Sequence, residues 1–343
     1  MLYEEQVRDA LKSVKYPGFS RDIISFGLVK SISVKDGTVQ IDVELTTPNA
    51  DTAAQLKAEC EQVVSALPGA NRVLVQVRPS RTIAAGLQQR STGIPGIARV
   101  IAIASGKGGV GKSTCSVNLA CALSMSGASV GLLDCDIYGP SIPLMMGVTG
   151  RPEISDTEKL VPLNQYGVRL MSMGFLLDGD QPVIWRGPMI VKTIQQFIHQ
   201  VDWGQLDYLL VDLPPGTGDA QLTLCQTVPL DGGVIVTTPQ EASLGVVRKG
   251  INMFKKVNVP ILGIIENMSH FTLPNGERIH IFGDGGGRLE AAKQDVPFLG
   301  EIPLYQEIRV GGDAGLPVAF SHADKPQGQA FHAVAQALRS LLV

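Results

Sequence analysis

Eight consecutive residues, Gly106-Lys107-Gly108-Gly109-Val110-Gly111-Lys112-Ser113, fit the spacing G-x-x-x-x-G-K-[ST]. Glycines in such a loop let backbone N–H groups close around phosphate oxygens, and the helix that follows adds the positive end of its dipole. Lys112 then reaches the β- and γ-phosphates of a nucleotide, and Ser113 places its hydroxyl on Mg²⁺. The surroundings agree. An apolar strand ends at Ala104-Ser105, and a helix begins near Ser113-Thr114 with Val117, Ala120 and Cys121 on one face and Leu119 and Leu123 widening the stripe. Lys107 is a second lysine that a phosphate loop does not require. It is either a solvated surface lysine or a cation aimed at phosphate charge, including that of a nucleotide held by a partner subunit.

Carboxylates stand at two other strand ends. Asp134-Cys135-Asp136 follows the apolar run Val130 to Leu133, and Asp212 follows Tyr208 to Val211. Asp136 has the chemistry to orient or activate a water for attack on a γ-phosphate, or to hold Mg²⁺ through water. Asp212 suits direct service to Mg²⁺, as a Walker B aspartate. It leads into Leu213-Pro214-Pro215-Gly216-Thr217-Gly218-Asp219, where the prolines stiffen the loop and the glycines permit hinging. A lone strand-end aspartate is often only a helix cap. Two beside a phosphate loop point to chemistry.

The elements that must position these residues are short apolar runs: 100–103, 130–133, 208–211, 234–236 and 261–265. Helical stretches intervene, so the expected fold class is α/β, a P-loop NTPase with a mostly parallel sheet covered by helices. Ligands of such sheets lie beyond the carboxyl ends of the strands. Residues 1–78 form a separate small α/β domain of order αββαβ. Its elements are a helix bearing Val7, Ala10, Leu11 and Val14, strands from Phe26 to Val34 and Val39 to Leu45, a helix from about Ala50 to Leu67, and a strand at Val73 to Val77. Residues 79–96 lack a period and read as a linker, leaving 97–343 for the nucleotide domain.

Composition narrows the function. The 343 residues are 44% hydrophobic, enough for packed cores, so wholesale disorder is excluded. A net charge of −3 and 5% aromatic residues argue against a nucleic-acid partner. No apolar run approaches a bilayer span of roughly 18 residues, and the acidic start Met1-Leu2-Tyr3-Glu4-Glu5 differs from a signal peptide. Five scattered cysteines fit a reducing compartment. A cytoplasmic protein is expected.

Together these segments resemble the Mrp/ApbC family of iron–sulfur cluster carriers, within the deviant Walker A class that includes MinD, ParA and the nitrogenase iron protein. The resemblance rests on Ser105 to Thr114, Asp134-Cys135-Asp136-Ile137-Tyr138-Gly139-Pro140-Ser141, Trp185-Arg186-Gly187-Pro188, Asp212 to Asp219 and Glu266-Asn267-Met268-Ser269. The αββαβ unit is similar to the iron–sulfur assembly domain that often precedes this ATPase. The resemblance implies an ATP-binding homodimer that hydrolyses ATP slowly with Mg²⁺ and passes clusters, of [4Fe–4S] type, to apoproteins. It implies that Lys107 contacts nucleotide across the dimer, that Asp136 is the switch I catalytic aspartate, that Asp212 is the Walker B position and that Asn267 lies near the adenine.

The chain departs from that pattern in one important place. Many relatives carry C-x-x-C shortly after the Asn-Met-Ser segment, so that a dimer supplies four thiolates to a cluster. Here Leu273 and Gly276 stand at those positions. Thr47-Pro48-Asn49-Ala50-Asp51 and Val246 replace a cysteine and an aspartate that relatives often have. Cys115, Cys121, Cys135 and Cys225 read as small buried hydrophobes, and His270 and His280, which flank the altered loop, read either as metal ligands or as surface polar residues. The alternative to a carrier is therefore an ATP-switched protein-binding or positioning ATPase that holds no cluster. A membrane-cycling version would want a basic amphipathic C-terminus. The stripe of Phe331, Val334, Ala335, Leu338 and Leu342, with Arg339 its one strong cation, instead suits burial, so no stable membrane association is expected.

Overall fold

The computed structural model describes the chain apart from residues 1, 16–21, 26, 36, 46–49, 80–92, 137–138, 177–186 and 343. The sequence markers Ile137-Tyr138, Trp185-Arg186 and Thr47-Pro48-Asn49 fall outside the described residues. Contacts group the chain into two compact units, residues 1–84 with 291–298 and residues 85–290 with 299–343.

In the N-terminal part, α1 (Glu4–Leu11) buries Val7 and Leu11. Strands β1 (Val29–Lys35) and β2 (Thr38–Leu45) pair antiparallel, and after α2 (Ala50–Ser65) strand β3 (Arg72–Pro79) joins β2 in parallel. The alternation of β2 puts Val39, Ile41 and Val43 into the core, where they meet Leu56, Cys60 and Val64, spaced four apart on one face of α2. The order is αββαβ. The first strand starts at Val29 rather than Phe26, because Gly27 adopts a positive φ of 69° and its N–H closes a turn onto the Ile24 carbonyl.

Among the described residues the larger part holds an eight-stranded sheet. Its centre is β4 (Ile97–Ser105), with β8 (Leu206–Asp212) on one side and β9 (Gly232–Thr237) on the other, both parallel to it. Outward from β9 come β10 (Ile261–Asn267) and β13 (Phe298–Ile302). Outward from β8 come β5 (Val130–Asp134), β7 (Val168–Ser172) and the antiparallel edge strand β6 (Leu163–Gln165). A two-stranded hairpin, β11 (Phe271–Thr272) with β12 (Arg278–Ile279), follows β10.

Every residue of β5, β9 and β10 is buried, as expected for strands covered on both faces. The helices are α3 (Lys112–Met125), α4 (Ile142–Met145), α5 (Gly187–Gln200), α6 (Asp219–Thr227), α7 (Glu241–Lys256), α8 (Gly286–Gln294), α9 (Gln306–Asp313), α10 (Val318–Ser321) and α11 (Pro326–Leu342). Helix α3 is buried all round from Cys115 to Leu123, which explains its small and apolar composition. Helix α11 packs against α3 and buries Phe331, Val334, Ala335, Leu338 and Leu342. No helix among the described residues is long and apolar enough to cross a membrane.

Parallel register does the positioning. Asp134 at the end of β5 lies directly opposite Asp212 at the end of β8, and Asp212 is also in register with Ile103 of β4, just before the phosphate loop. Residues far apart in sequence thus reach one sheet edge.

Candidate functional site

The loop between β4 and α3 takes the conformation its glycines allow. Gly109 and Gly111 have φ of 81° and 82°, left-handed values that a side chain disfavours. Gly111 is also the N-cap of α3, and a Cβ there would collide with the Asn267 amide. Asn267 in turn donates to the Val110 carbonyl at 2.8 Å, so the end of β10 fixes the loop. Gly106 sits against Val246, whose Cγ1 would lie 2.6 Å from an added Cβ. Val246 therefore packs on the loop as an apolar wall.

Lys112 and Asp212 form a buried ion pair at 2.5 Å, the carboxylate fully buried. Ser113 Oγ donates to Asp212 Oδ2 at 2.7 Å and Ser116 Oγ to Oδ1 at 2.5 Å. A hydroxyl and a carboxylate are the hard oxygen donors that suit Mg²⁺. Ser116 was not evident as a site residue from the motif. Its signal is periodicity, since a residue four after Lys112 and three after Ser113 shares their face.

Asp134 is a second residue whose place at the site is not legible in the motif. It is fully buried, accepts from Ser172 Oγ at 2.9 Å and from the Asp136 backbone N–H at 3.0 Å. Burial, and then the neighbouring Asp212 charge, push its pKa up to about 7, while Lys112 opposes the rise. The folded chain therefore takes up a proton here that the unfolded chain has released. The resulting stabilisation is complete below about pH 4 and lost as pH rises to about 7. Asp134→Asn removes this dependence. Urea unfolding without nucleotide should show a stability gain over the parent that is larger at pH 7.5 than at pH 5; equal gains would refute the burial argument.

Asp136 is half-buried one step beyond. Lys107 is also half-buried, its Nζ donating to Gln240 Oε1 at 3.3 Å. Beside the loop opens a cleft of about 260 Å³, lined by Gly111, Thr114, Asn267, Met268, Leu304 and Tyr305 among others. A loop of N–H donors, a lysine, hydroxyl and carboxylate donors and an adjoining mainly apolar cleft can hold a nucleotide with its phosphates and its base. Lys107, Lys112, Ser113, Asp136, Asp212 and Asn267 thus occur around one edge of the sheet.

A family model described as the NUBPL iron-transfer P-loop NTPase matches residues 96–339, most of the chain. The chain belongs to this NUBPL/ParA family. A second model, an iron–sulfur cluster assembly protein, matches residues 4–77. The chain is 44% identical over 342 residues to a Synechocystis protein named iron–sulfur cluster carrier protein, covering 98% of this chain and 97% of that one. Among solved structures it is similar to a nucleotide-binding protein of Archaeoglobus fulgidus in complex with ADP, in which cobalt was found. That likeness has a TM-score of 0.61 and 40% identity, and covers 74% of this chain and 98% of the other. The Pyrococcus furiosus cell division ATPase MinD shares the fold at a TM-score of 0.54 and 22% identity, covering 71% of this chain and 99% of that one.

Against this NUBPL/ParA background the cysteines stand out. All five are buried and free, and none is exposed as a surface thiol. Burial pushes Cys60, Cys115, Cys121 and Cys225 up to about 12 and Cys135 well above its usual value. Thiolates are what ligate iron–sulfur clusters, and these side chains are held as thiols. Leu273 and Gly276 lie at the turn of the β11–β12 hairpin, where the Gly276 N–H bonds to the Leu273 carbonyl.

Proposed function

We propose that this chain is an ATP-binding and slowly ATP-hydrolysing carrier that delivers iron–sulfur clusters to apoproteins. On this reading it works as a homodimer in the cytoplasm, without nucleic acid or stable membrane association, and apo iron–sulfur proteins are its clients. Residues 1–78 serve as the assembly-type domain, 79–96 as a linker and 97–343 as the ATPase domain. The observation that carries the ATPase reading is the buried Lys112–Asp212–Ser113 cluster at the foot of the phosphate loop. The cluster cargo is drawn from the names of the relatives and the two matching family models.

The residues divide the work as follows. Backbone N–H groups of Gly106, Lys107, Gly108, Gly109, Val110, Gly111, Lys112, Ser113 and Thr114 bind phosphate oxygens. Lys112 would serve the β- and γ-phosphates, and Ser113 with Asp212 would hold Mg²⁺. Bound Mg²⁺ supplies counter-charge to those phosphates. Asp136 orients the attacking water and accepts its proton, Lys107 leaves Gln240 to reach phosphate charge across the dimer, and Asn267 borders the adenine.

A second reading, an ATP-switched protein-binding ATPase without a cluster, is favoured by one observation: Leu273 and Gly276 occupy the C-x-x-C positions while every cysteine is buried. Anaerobic reconstitution of the purified chain, counting iron and sulfide per dimer and then following transfer to an apoprotein, separates the two. The carrier reading expects a bound, transferable cluster. Intact ATPase activity with no bound iron or sulfide would overturn it in favour of the switch.

A further inference from the structure

We propose that His270 and His280 together bind a first-row transition-metal cation of the iron(II) or zinc class. They lie ten positions apart in sequence, and the hairpin closes that distance. Phe271 pairs with Ile279 and Thr272 with Arg278, and His270 and His280 lie one step beyond the end of this two-pair ladder. The Leu273 N–H bonds to the Glu277 carbonyl at 2.8 Å, which marks that pair as hydrogen-bonded. Pairs alternate along an antiparallel ladder, so the positions just past its end continue the non-hydrogen-bonded side, the kind whose side chains approach most closely on a shared face. Their ring centroids are 6.0 Å apart. Two imidazoles on one ion, each with a metal–nitrogen bond of about 2.0–2.1 Å, place their ring centres roughly 5 Å apart. A small rotation of the more exposed ring closes the difference.

The outer contacts already suit this use. Ser269 Oγ lies 3.0 Å from His270 Nδ1, and Asp284 Oδ1 lies 3.3 Å from His280 Nδ1. With Nδ1–H donated to Ser269, the Nε2 lone pair of His270 is left for a metal. His280 directs its Nδ1 at a carboxylate in the same manner. Metal-bound histidines characteristically engage the other ring nitrogen with a carboxylate, carbonyl or water, which fixes tautomer and orientation.

His270 is buried and its backbone is held, its carbonyl accepting the Leu304 N–H at 2.7 Å. The His280 side chain keeps 37% of its surface exposed, which gives an ion a way in. The charged groups around the pair are Asp284, Glu301 and Arg278; Arg288 faces Glu301 at 3.8 Å. The two carboxylates favour a cation and Arg278 opposes it.

Imidazole is a ligand for zinc, iron, copper and nickel, whereas clusters call for thiolates. No group of three or more His, Cys, Asp or Glu that could hold a metal occurs among the described residues, so each protomer gives two ligands and water fills the remaining positions. The expected affinity is accordingly micromolar rather than nanomolar. The site does not depend on the carrier reading, because its ligands and its assay involve neither ATP nor a cluster.

The test is an anaerobic Co²⁺ titration of the full, nucleotide-free chain, read by the visible d–d absorption and competed with Zn²⁺. One saturable equivalent per chain is expected, weakened at least tenfold in His270→Ala and in His280→Ala, and about tenfold in Asp284→Ala. His199→Ala should bind as the parent does. His280→Ala changes a half-exposed residue, so it decides the matter even where loss of buried His270 disturbs folding. Saturable binding absent below millimolar Co²⁺, or unchanged in His280→Ala, would overturn the site. Failed cluster transfer with this binding intact would overturn the carrier reading alone.

Discussion

In Lys112→Ala the chain is expected to lose measurable ATP binding and, without nucleotide, about 3–5 kcal/mol of stability. The first loss follows from the position of Lys112 at the end of the phosphate loop and the start of α3. The second follows from burial. Asp212 is fully enclosed and Lys112 is its cation at 2.5 Å, while Asp134, also enclosed, is directly opposite in register. Removing the ammonium leaves two buried carboxyl groups facing one another, with hydroxyls and one backbone N–H to answer them among the described residues. The double variant Lys112→Ala/Asp212→Asn separates the effects. An amide can still meet Ser113 and Ser116, so most of the stability should return, while ATP binding should not. Urea unfolding and calorimetric ATP titration of both variants check this. Retained ATP binding in Lys112→Ala would remove the phosphate-loop assignment, and unchanged stability would show that the ion pair contributes nothing net.

What could be read from the sequence, and what could not, divides by range. The phosphate loop is a local device: eight residues, their glycines and the strand and helix beside them carry its whole meaning. The same holds for the apolar runs that became β4, β5, β8, β9 and β10, since a strand buried on both faces announces itself in composition. Strand order is different, because no local pattern says that β8 and β9, rather than β5, flank β4.

Asp134 shows the consequence. In sequence it is one of two aspartates around Cys135; only the parallel register against Asp212 reveals which of them is enclosed and which is left half-open. The His270–His280 pair lies between these cases. Pro274-Asn275-Gly276 is a turn signal, and a hairpin centred there would have set the two histidines opposite each other. The strands are too short to alternate visibly, so the pattern that usually announces a hairpin was missing.

Asp136→Ala should leave ATP affinity within about threefold and lower ATP turnover by about 10²-fold or more, the range for loss of a positioned proton acceptor. Three aspartates reach this edge of the sheet, and their surroundings give them different work. Asp212 is bound up by Lys112, Ser113 and Ser116, and Asp134 by Ser172 and the Asp136 N–H. Burial raises the pKa of Asp134 to about 7, so it tends to keep its proton. Asp136 alone of the three keeps a side chain half-open to solvent, at the position from which a water could be addressed. The alanine variant retains the backbone N–H that Asp134 accepts. Asp136→Asn then distinguishes proton acceptance from orientation. An amide can hold a water by a hydrogen bond but is too weak a base to take its proton, so single-turnover hydrolysis as slow as in Asp136→Ala assigns the loss to proton acceptance. Recovery in the asparagine variant would reduce Asp136 to a positioning residue, and unchanged turnover in the alanine variant would remove it from the reaction altogether.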